Sequence, residues 1–208
     1  MLRISLFILL FCAAAITHAA TNILVFGDSI SASYGLPRGT GWVDLLQQRL
    51  ERDGVDYKVI NASLSGETTT GGRNRINIAL AQHNPQIVIL ELGANDGLRG
   101  ARVETIHANL AAMIADCRKR GARVLLVGMQ LPPNYGKVYV EKFRTLYPNL
   151  ARAQRVALVP FMYEGFATDR DAFQADGIHP NAAAQARLLE NVWTVLKPML
   201  RGPAKISG

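Results

Sequence analysis

Cysteine is almost missing from this chain. Of 208 residues only Cys12 and Cys117 carry a thiol, and Cys12 lies in an N-terminal run expected to be removed. Cys117 is then alone, which excludes a disulfide scaffold. Without a Cys/His cluster, a structural zinc site is excluded too. Long hydrophobic runs are also scarce. The longest candidate, Ile4 to Ile16, has 13 residues, short of the roughly 20 a membrane-spanning helix needs. No G-x-G-x-x-G follows the first apolar run and no G-x-x-x-x-G-K-[ST] occurs, so nucleotide binding has no support. Aromatic residues make up 7% and do not interleave with the basic ones as a nucleic-acid platform requires.

The N-terminal run has the features of a targeting segment. Arg3 precedes the apolar stretch, and Thr17-His18-Ala19 is a small-x-small cleavage pattern. A signal peptide over residues 1–19 and one domain over residues 20–208 are expected, which implies a periplasmic or secreted product. Lipid anchoring through Cys12 is disfavoured by Phe11, a bulky ring where a lipoprotein signal needs a small residue. The formal charge of +7 favours anionic surfaces, including phospholipid head groups, so a peripheral contact with phospholipid is open. The basic residues are scattered, however, and an ordinary solvated surface accounts for them.

No repeat or long linker interrupts the chain. Short apolar runs at Asn22–Phe26, Tyr57–Asn61, Ile87–Leu92, Val124–Val127 and Ala157–Pro160 suit strands buried on both faces. Between them lie helical patterns: Trp42, Leu45, Leu46 and Leu50 on one face, Ile76, Ile78 and Leu80 less regularly, and a stripe from Val103 to Cys117. Two more helices are expected over Glu141–Gln154 and from about Asn181 to Leu200. Strict alternation of strand and helix means βαβ units, hence an α/β fold with a parallel sheet. Ligands bind such sheets at the carboxyl ends of the strands.

Four polar blocks fall at that edge. Gly27-Asp28-Ser29 follows the first run, Asn61 to Glu67 the second, Gly93 to Gly97 the third, and Asp176-Gly177-Ile178-His179-Pro180 comes after the fifth. Together they offer the groups that acyl transfer requires. A serine hydroxyl needs an adjacent base, and the base needs a carboxylate to hold its tautomer. Among the histidines, His83 and His107 sit in helical patterns and read as surface or packing residues. His179 has Asp176 three residues before it and Pro180 after it, a residue suited to the first position of the final helix. A capping turn would explain Asp176 and His179 equally well. Donors for an oxyanion could come from the Ser29 and Gly66 N–H groups and the Asn95 amide, although Gly66 and Asn95 are also ordinary loop residues. Asp28 and Asp96 read as loop-orienting groups rather than a metal or acid–base pair, and Ser31, Ser63 and Ser65 as turn residues. The nucleophile elbow G-x-S-x-G is absent, since Ser31 stands where its last glycine would be.

In order and spacing, "GDSIS", Gly66, "GAND" at 93–96 and "DGIH" at 176–179 resemble the four blocks of the SGNH (GDSL-type) hydrolases. "ANDGLRG", "LPPNYG", "YPNLA" and "DGIHPN" are similar to the bacterial periplasmic thioesterase I/lysophospholipase/arylesterase group. The resemblance implies a flavodoxin-like three-layer α/β/α domain with a five-stranded parallel sheet. It implies a monomeric serine hydrolase of fatty-acyl esters and thioesters that uses no cofactor and no metal. Carried onto this chain, Ser29 is the nucleophile, His179 the base and Asp176 its partner, with Ser29, Gly66 and Asn95 as oxyanion hole. Ala94 stands where many relatives have a second glycine. Leu98, Leu131, Pro132 and Tyr135 are candidate acyl-chain contacts, extended by Phe161, Met162, Tyr163 and Phe166, with Gly97, Gly100 and Gly136 letting the loops flex. Two rivals stay open: an acetylated-carbohydrate esterase with the same triad, and a non-catalytic binding protein on the same scaffold.

Overall fold

The computed structural model describes residues 21–200; the expected signal peptide, residues 1–19, lies outside the described residues. Five parallel strands form one sheet: β1 Thr21–Gly27, β2 Tyr57–Asn61, β3 Ile87–Glu91, β4 Arg123–Val127 and β5 Ala157–Val159. Their spatial order is β2-β1-β3-β4-β5, the flavodoxin-like order. The helices are α1 Trp42–Arg52, α2 Thr69–His83, α3 Ala94–Leu98, α4 Val103–Lys119, α5 Lys137–Gln154 and α6 Gln185–Leu196. Right-handed crossovers then settle the layers. The chain steps one way from β1 to β2 and the other way from β2 through β5, so α1 falls on one face and α2, α4 and α5 on the other. α6 returns beside α1 to complete the first layer. Both faces are thereby covered, and β3 is buried throughout.

The direction reverses between β1 and β3, and the ladder there runs from Ile23 opposite Ile87 to Gly27 opposite Glu91. That pair of carboxyl ends opens the crevice in which doubly wound sheets bind ligands. Gly27 delivers Ser29 to it, and Gly93, with φ of +116° at the start of α3, delivers Asn95.

Three helical expectations need correction. Ile78 is 67% exposed, because residues two apart on a helix point to nearly opposite sides. The buried face of α2 is Thr69, Gly72, Ile76, Ala79 and Leu80, at spacings of three and four. α5 begins at Lys137 rather than Glu141; its first turn carries the exposed Val138 and so shows no inward stripe. Pro180 does not open the last helix. It bridges to Phe173, and Asn181 caps a 3-10 turn over Ala182–Ala184 that leads into α6. Cys117 is buried on α4 as expected, and burial pushes its thiol up to about 12.

Candidate active site

β1 ends at a glycine for a steric reason. A Cβ on Gly27 would lie 2.6 Å from Glu91 Oε2 and 2.8 Å from Ser31 Oγ, closer than real contacts allow. Beyond it the backbone closes one helical turn, with Ala32 N–H donating to Asp28 O (2.9 Å) and Tyr34 N–H to Ser29 O (3.0 Å). Asp28 Oδ1 takes the Ile30 N–H at 3.0 Å. Among the described residues the Ser29 N–H donates to no protein group. The turn therefore leaves the Ser29 N–H without a protein acceptor and places Ser29 in the lining of a cavity.

Asp176 divides its two oxygens between structure and chemistry. Oδ1 accepts from Ile178 N–H (2.9 Å) and His179 N–H (3.0 Å), closing the turn. Oδ2 lies 2.7 Å from His179 Nδ1, and His179 Nε2 lies 2.8 Å from Ser29 Oγ. The capping turn and the carboxylate–imidazole hydrogen bond are thus one device. Burial raises the Asp176 carboxyl, but the bonds from the His179 N–H and ring and from the Ile178 N–H outweigh it and hold the group at about 2. The carboxylate fixes the imidazole with Nδ1 protonated and leaves Nε2 as the acceptor facing Ser29.

Gly66 adopts φ of +78°, a conformation that favours glycine, and its N–H has no partner among the described residues. Ser29, Gly66 and Asn95 line one cavity of about 520 Å³ with His179. Both protons of the Asn95 amide are engaged, with Asp28 Oδ2 (3.1 Å) and Glu67 O (3.0 Å). Asp96 accepts from Thr69 N–H (2.8 Å) and its hydroxyl (2.6 Å), tying α3 to the start of α2. Asp28 and Asp96 are loop-orienting groups, as their positions suggest. The Gly66 loop is braced from behind, where Arg75 Nε meets Glu67 Oε2 at 2.5 Å. Arg75 also donates to Ala62 O (2.7 Å) and lies 3.8 Å over the Phe26 ring.

The rest of the cavity is mostly apolar, with Ser65, Gln130 and Thr168 as polar members of the lining. Leu98, Leu131, Pro132, Phe161 and Tyr163 line it, as does the methyl of Ala94. Tyr135, Met162 and Phe166 do not. The Tyr135 hydroxyl donates to Leu98 O at 3.1 Å, so it braces the wall from outside, while Met162 and Phe166 are buried in the core. Gly97 is not a hinge but a point of close packing, since a Cβ there would meet Phe143 at 2.6 Å. His83 and His107 are absent from the lining. Among the described residues no cluster of His, Cys, Asp and Glu is arranged to hold a metal ion.

Three residues at the site have no forecast in the sequence. The Tyr34 ring packs 4.7 Å from the His179 ring, and Gln174 Nε2 holds Tyr34 O at 2.8 Å. Glu91 is fully buried at the end of β3. Its Oε2 accepts from the Ser31 hydroxyl, which makes Ser31 more than a turn residue. A carboxylate inside an otherwise apolar strand was the available signal for Glu91. Burial raises Asp28 to about 6, against the Ile30 N–H, the nearby His179 charge and the Asn95 amide. Burial, then the Asp28 charge, raises Glu91 well above the usual carboxylate range.

Residues 25–187 match the GDSL-like lipase/acylhydrolase family. The chain is 53% identical over 182 residues to esterase TesA of Pseudomonas aeruginosa, covering 88% of this chain and 90% of that one. It is 37% identical over 182 residues to thioesterase 1/protease 1/lysophospholipase L1 of Escherichia coli K12, covering 88% and 86%. A crystal structure of TesA superposes with a TM-score of 0.84 at 53% identity, covering 86% of this chain and all of that one. On these grounds the chain belongs to the GDSL-like lipase/acylhydrolase family, the SGNH hydrolases.

Proposed function

We propose that this serine hydrolase cleaves fatty-acyl esters and thioesters through an acyl-enzyme on Ser29. The observation that carries it is the unbroken line Asp176 Oδ2, His179, Ser29 Oγ, at 2.7 and 2.8 Å, opening onto an apolar cavity. His179 Nε2 takes the Ser29 proton as Oγ attacks the acyl carbonyl. The carbonyl oxygen becomes an oxyanion facing the Ser29 and Gly66 N–H groups and the Asn95 amide. Collapse breaks the bond to the alcohol or thiol, which leaves with the proton from His179. Water, giving a proton to the same nitrogen, then releases the acid. Every step draws on side chains and backbone N–H groups of this chain together with water. The relatives named as esterase and as thioesterase and lysophospholipase support this substrate class.

Leu98, Leu131, Pro132 and Phe161 would hold the acyl chain, with Tyr135 bracing Leu98 rather than touching substrate. Exposed Tyr34 and Ile178, which also line the cavity, and exposed Leu64, next in sequence to the lining residue Ser65, suit a peripheral contact with phospholipid. No helix among the described residues is long and apolar enough to cross a membrane. Export after cleavage near Ala19, and action as a monomer, complete the proposal.

The test is hydrolysis of p-nitrophenyl esters from acetyl to palmitoyl, beside Ser29→Ala and with fluorophosphonate labelling of Ser29. Loss of the nucleophile should reduce turnover by about 10⁶. Activity peaking at medium or long chains supports the acyl reading. Acetyl alone would transfer it to the carbohydrate esterase, and an unlabelled, inactive parent would mean a binding protein.

A further inference from the structure

At the end of β3, behind Ser29, lies a carboxyl group that the proposed steps leave unused. Glu91 is 0% exposed and stands opposite Gly27 in the sheet. Its Oε2 accepts the Asp28 N–H at 3.3 Å and the Ser31 hydroxyl at 2.8 Å, one from each side of Ser29. Gly27 has no side chain, and that is what lets the carboxyl reach both. The other neighbour of β1 grips the same turn: Asn61 Nδ2 donates to Ser31 O (2.7 Å), and Gly27 N–H to Ser63 Oγ (3.0 Å). The nucleophile turn is thus fastened from both flanking strands.

The protonation state follows from the surroundings. Glu91 Oε1 has no hydrogen-bond partner among the described residues. The titratable groups that face it are Asp28 from the turn, Tyr147 from α5 and Tyr163 from the segment after β5. None of these carries a positive charge. An ionised Glu91 would be a second buried anion beside Asp28 with no cation acting on it directly, a state that burial strongly disfavours. The acid form avoids that state and still accepts both bonds at Oε2.

We propose that Glu91 is a positioning residue for the reaction, a neutral carboxylic acid that clamps the Gly27–Ser31 turn and so fixes where the Ser29 hydroxyl and N–H point. The inference rests on the assignment of Ser29 as nucleophile. It predicts an effect on turnover rather than on substrate binding, because Glu91 touches the turn and not the cavity.

The experiment compares Glu91→Gln, Glu91→Leu and Ser31→Ala in the full chain with the parent and Ser29→Ala. kcat and KM for a p-nitrophenyl ester are expressed per fluorophosphonate-labelled Ser29, which removes any misfolded fraction. Glu91→Leu should lower kcat by about 10²-fold with KM within about twofold, the cost of a nucleophile displaced by the order of an ångström. Glu91→Gln should restore most of that loss, since its amide oxygen can take the place of Oε2 without a charge. Its kcat/KM profile should superimpose on that of the parent from about pH 6 to about pH 8. Ser31→Ala removes one bond of the clamp and should lower kcat by about fivefold to tenfold; it decides the matter should Glu91→Leu fail to fold. If Glu91→Gln loses as much as Glu91→Leu, the neutral acid is overturned. If Ser31→Ala and any folded Glu91→Leu turn over at the parental rate, the clamp is overturned. An active Ser29→Ala protein would instead remove the nucleophile assignment on which the proposal stands.

Discussion

Asn95 gives one proton of its amide to Asp28 Oδ2 at 3.1 Å, and this bond both aims the amide and occupies it. The other proton goes to Glu67 O, so an incoming oxyanion must compete for a donor already in use. The proton now given to the neutral Glu67 carbonyl is the one an oxyanion formed as proposed would take, because a full charge is a stronger acceptor than a carbonyl.

Asp28→Asn should therefore damage catalysis although it keeps the size of the side chain. The new amide must turn a donor either to Asn95 or to the Ile30 N–H, and one bond is lost in either case. Turnover should fall by about 10- to 100-fold, less than the roughly 10²–10³ expected for Asn95→Ala. Steady-state kinetics of the two variants checks the order.

The same aspartate should leave a mark on stability against pH. Its carboxyl is raised from 3.8 to about 6 in the fold, so the native state binds its proton more readily than the unfolded chain does. The contribution is fully present below about pH 3.8 and is lost as pH rises through about 6. Relative to Asp28→Asn, the parent should gain melting temperature on acidification from about pH 7 to about pH 5. Calorimetry of both proteins in this window measures it, and an unchanged difference would contradict the raised value.

Asp176 should behave in the opposite sense. Its carboxyl is lowered from 3.8 to about 2, so its contribution is present above about pH 3.8 and is lost as pH falls through about 2. In Asp176→Asn an amide replaces the acceptor for Nδ1–H, the imidazole tautomer is no longer enforced, and turnover should drop by about 10⁴. A fall in kcat with Ser29 still slowly labelled by fluorophosphonate would separate this from unfolding.

Gly27→Ala tests the packing that aims the nucleophile. The added methyl meets Glu91 Oε2 at 2.6 Å and Ser31 Oγ at 2.8 Å. Neither is the free end of an exposed chain, since both residues are buried. Overpacking of this kind costs about 1–3 kcal/mol, readable as a lower urea midpoint at constant m-value, together with lost turnover.

How far the sequence spoke for itself depends on whether a role was local. Ser29 and His179 were legible because each follows a recognisable strand or turn, and the rule on strand ends brings the two together across 150 residues. Asp176 was legible in both of its guises, and the structure joins them. Glu91 was half legible: a carboxylate within the otherwise apolar run Ile87 to Leu92 marks the position, but only the register opposite Gly27 shows what it meets. Tyr34 depends on a bond from Gln174, 140 residues away, which no local pattern encodes. Ile78 was misplaced because α2 carries glycine and threonine on its inner face, so its apolar residues alone do not trace the stripe. The apolar wall of the cavity was half legible: Leu98, Leu131 and Pro132 line it, but which of the nearby aromatic residues turn inward is a matter of packing.

The cavity makes the last prediction quantitative. Burying one methylene contributes about 0.8 kcal/mol, so kcat/KM should rise by about fourfold per methylene until the wall is filled. Leu98 lies at the end of α3, on the cavity wall. Its backbone is held by Tyr135, and Tyr139 donates to Gly97 O (3.4 Å) and Ala101 O (2.7 Å) on either side. A larger side chain at this position cannot easily swing away, because the segment that carries it is pinned. Leu98→Trp should therefore fill the apolar end while leaving Ser29 and His179 untouched. Acetyl esters should keep their kcat/KM within about twofold, and octanoyl and longer esters should lose about 10-fold or more, equivalent to two methylenes of lost contact. A uniform loss across the series would mean that the tryptophan disturbs Asn95 on the same short helix, and the acyl chain would then have to be sought along another wall.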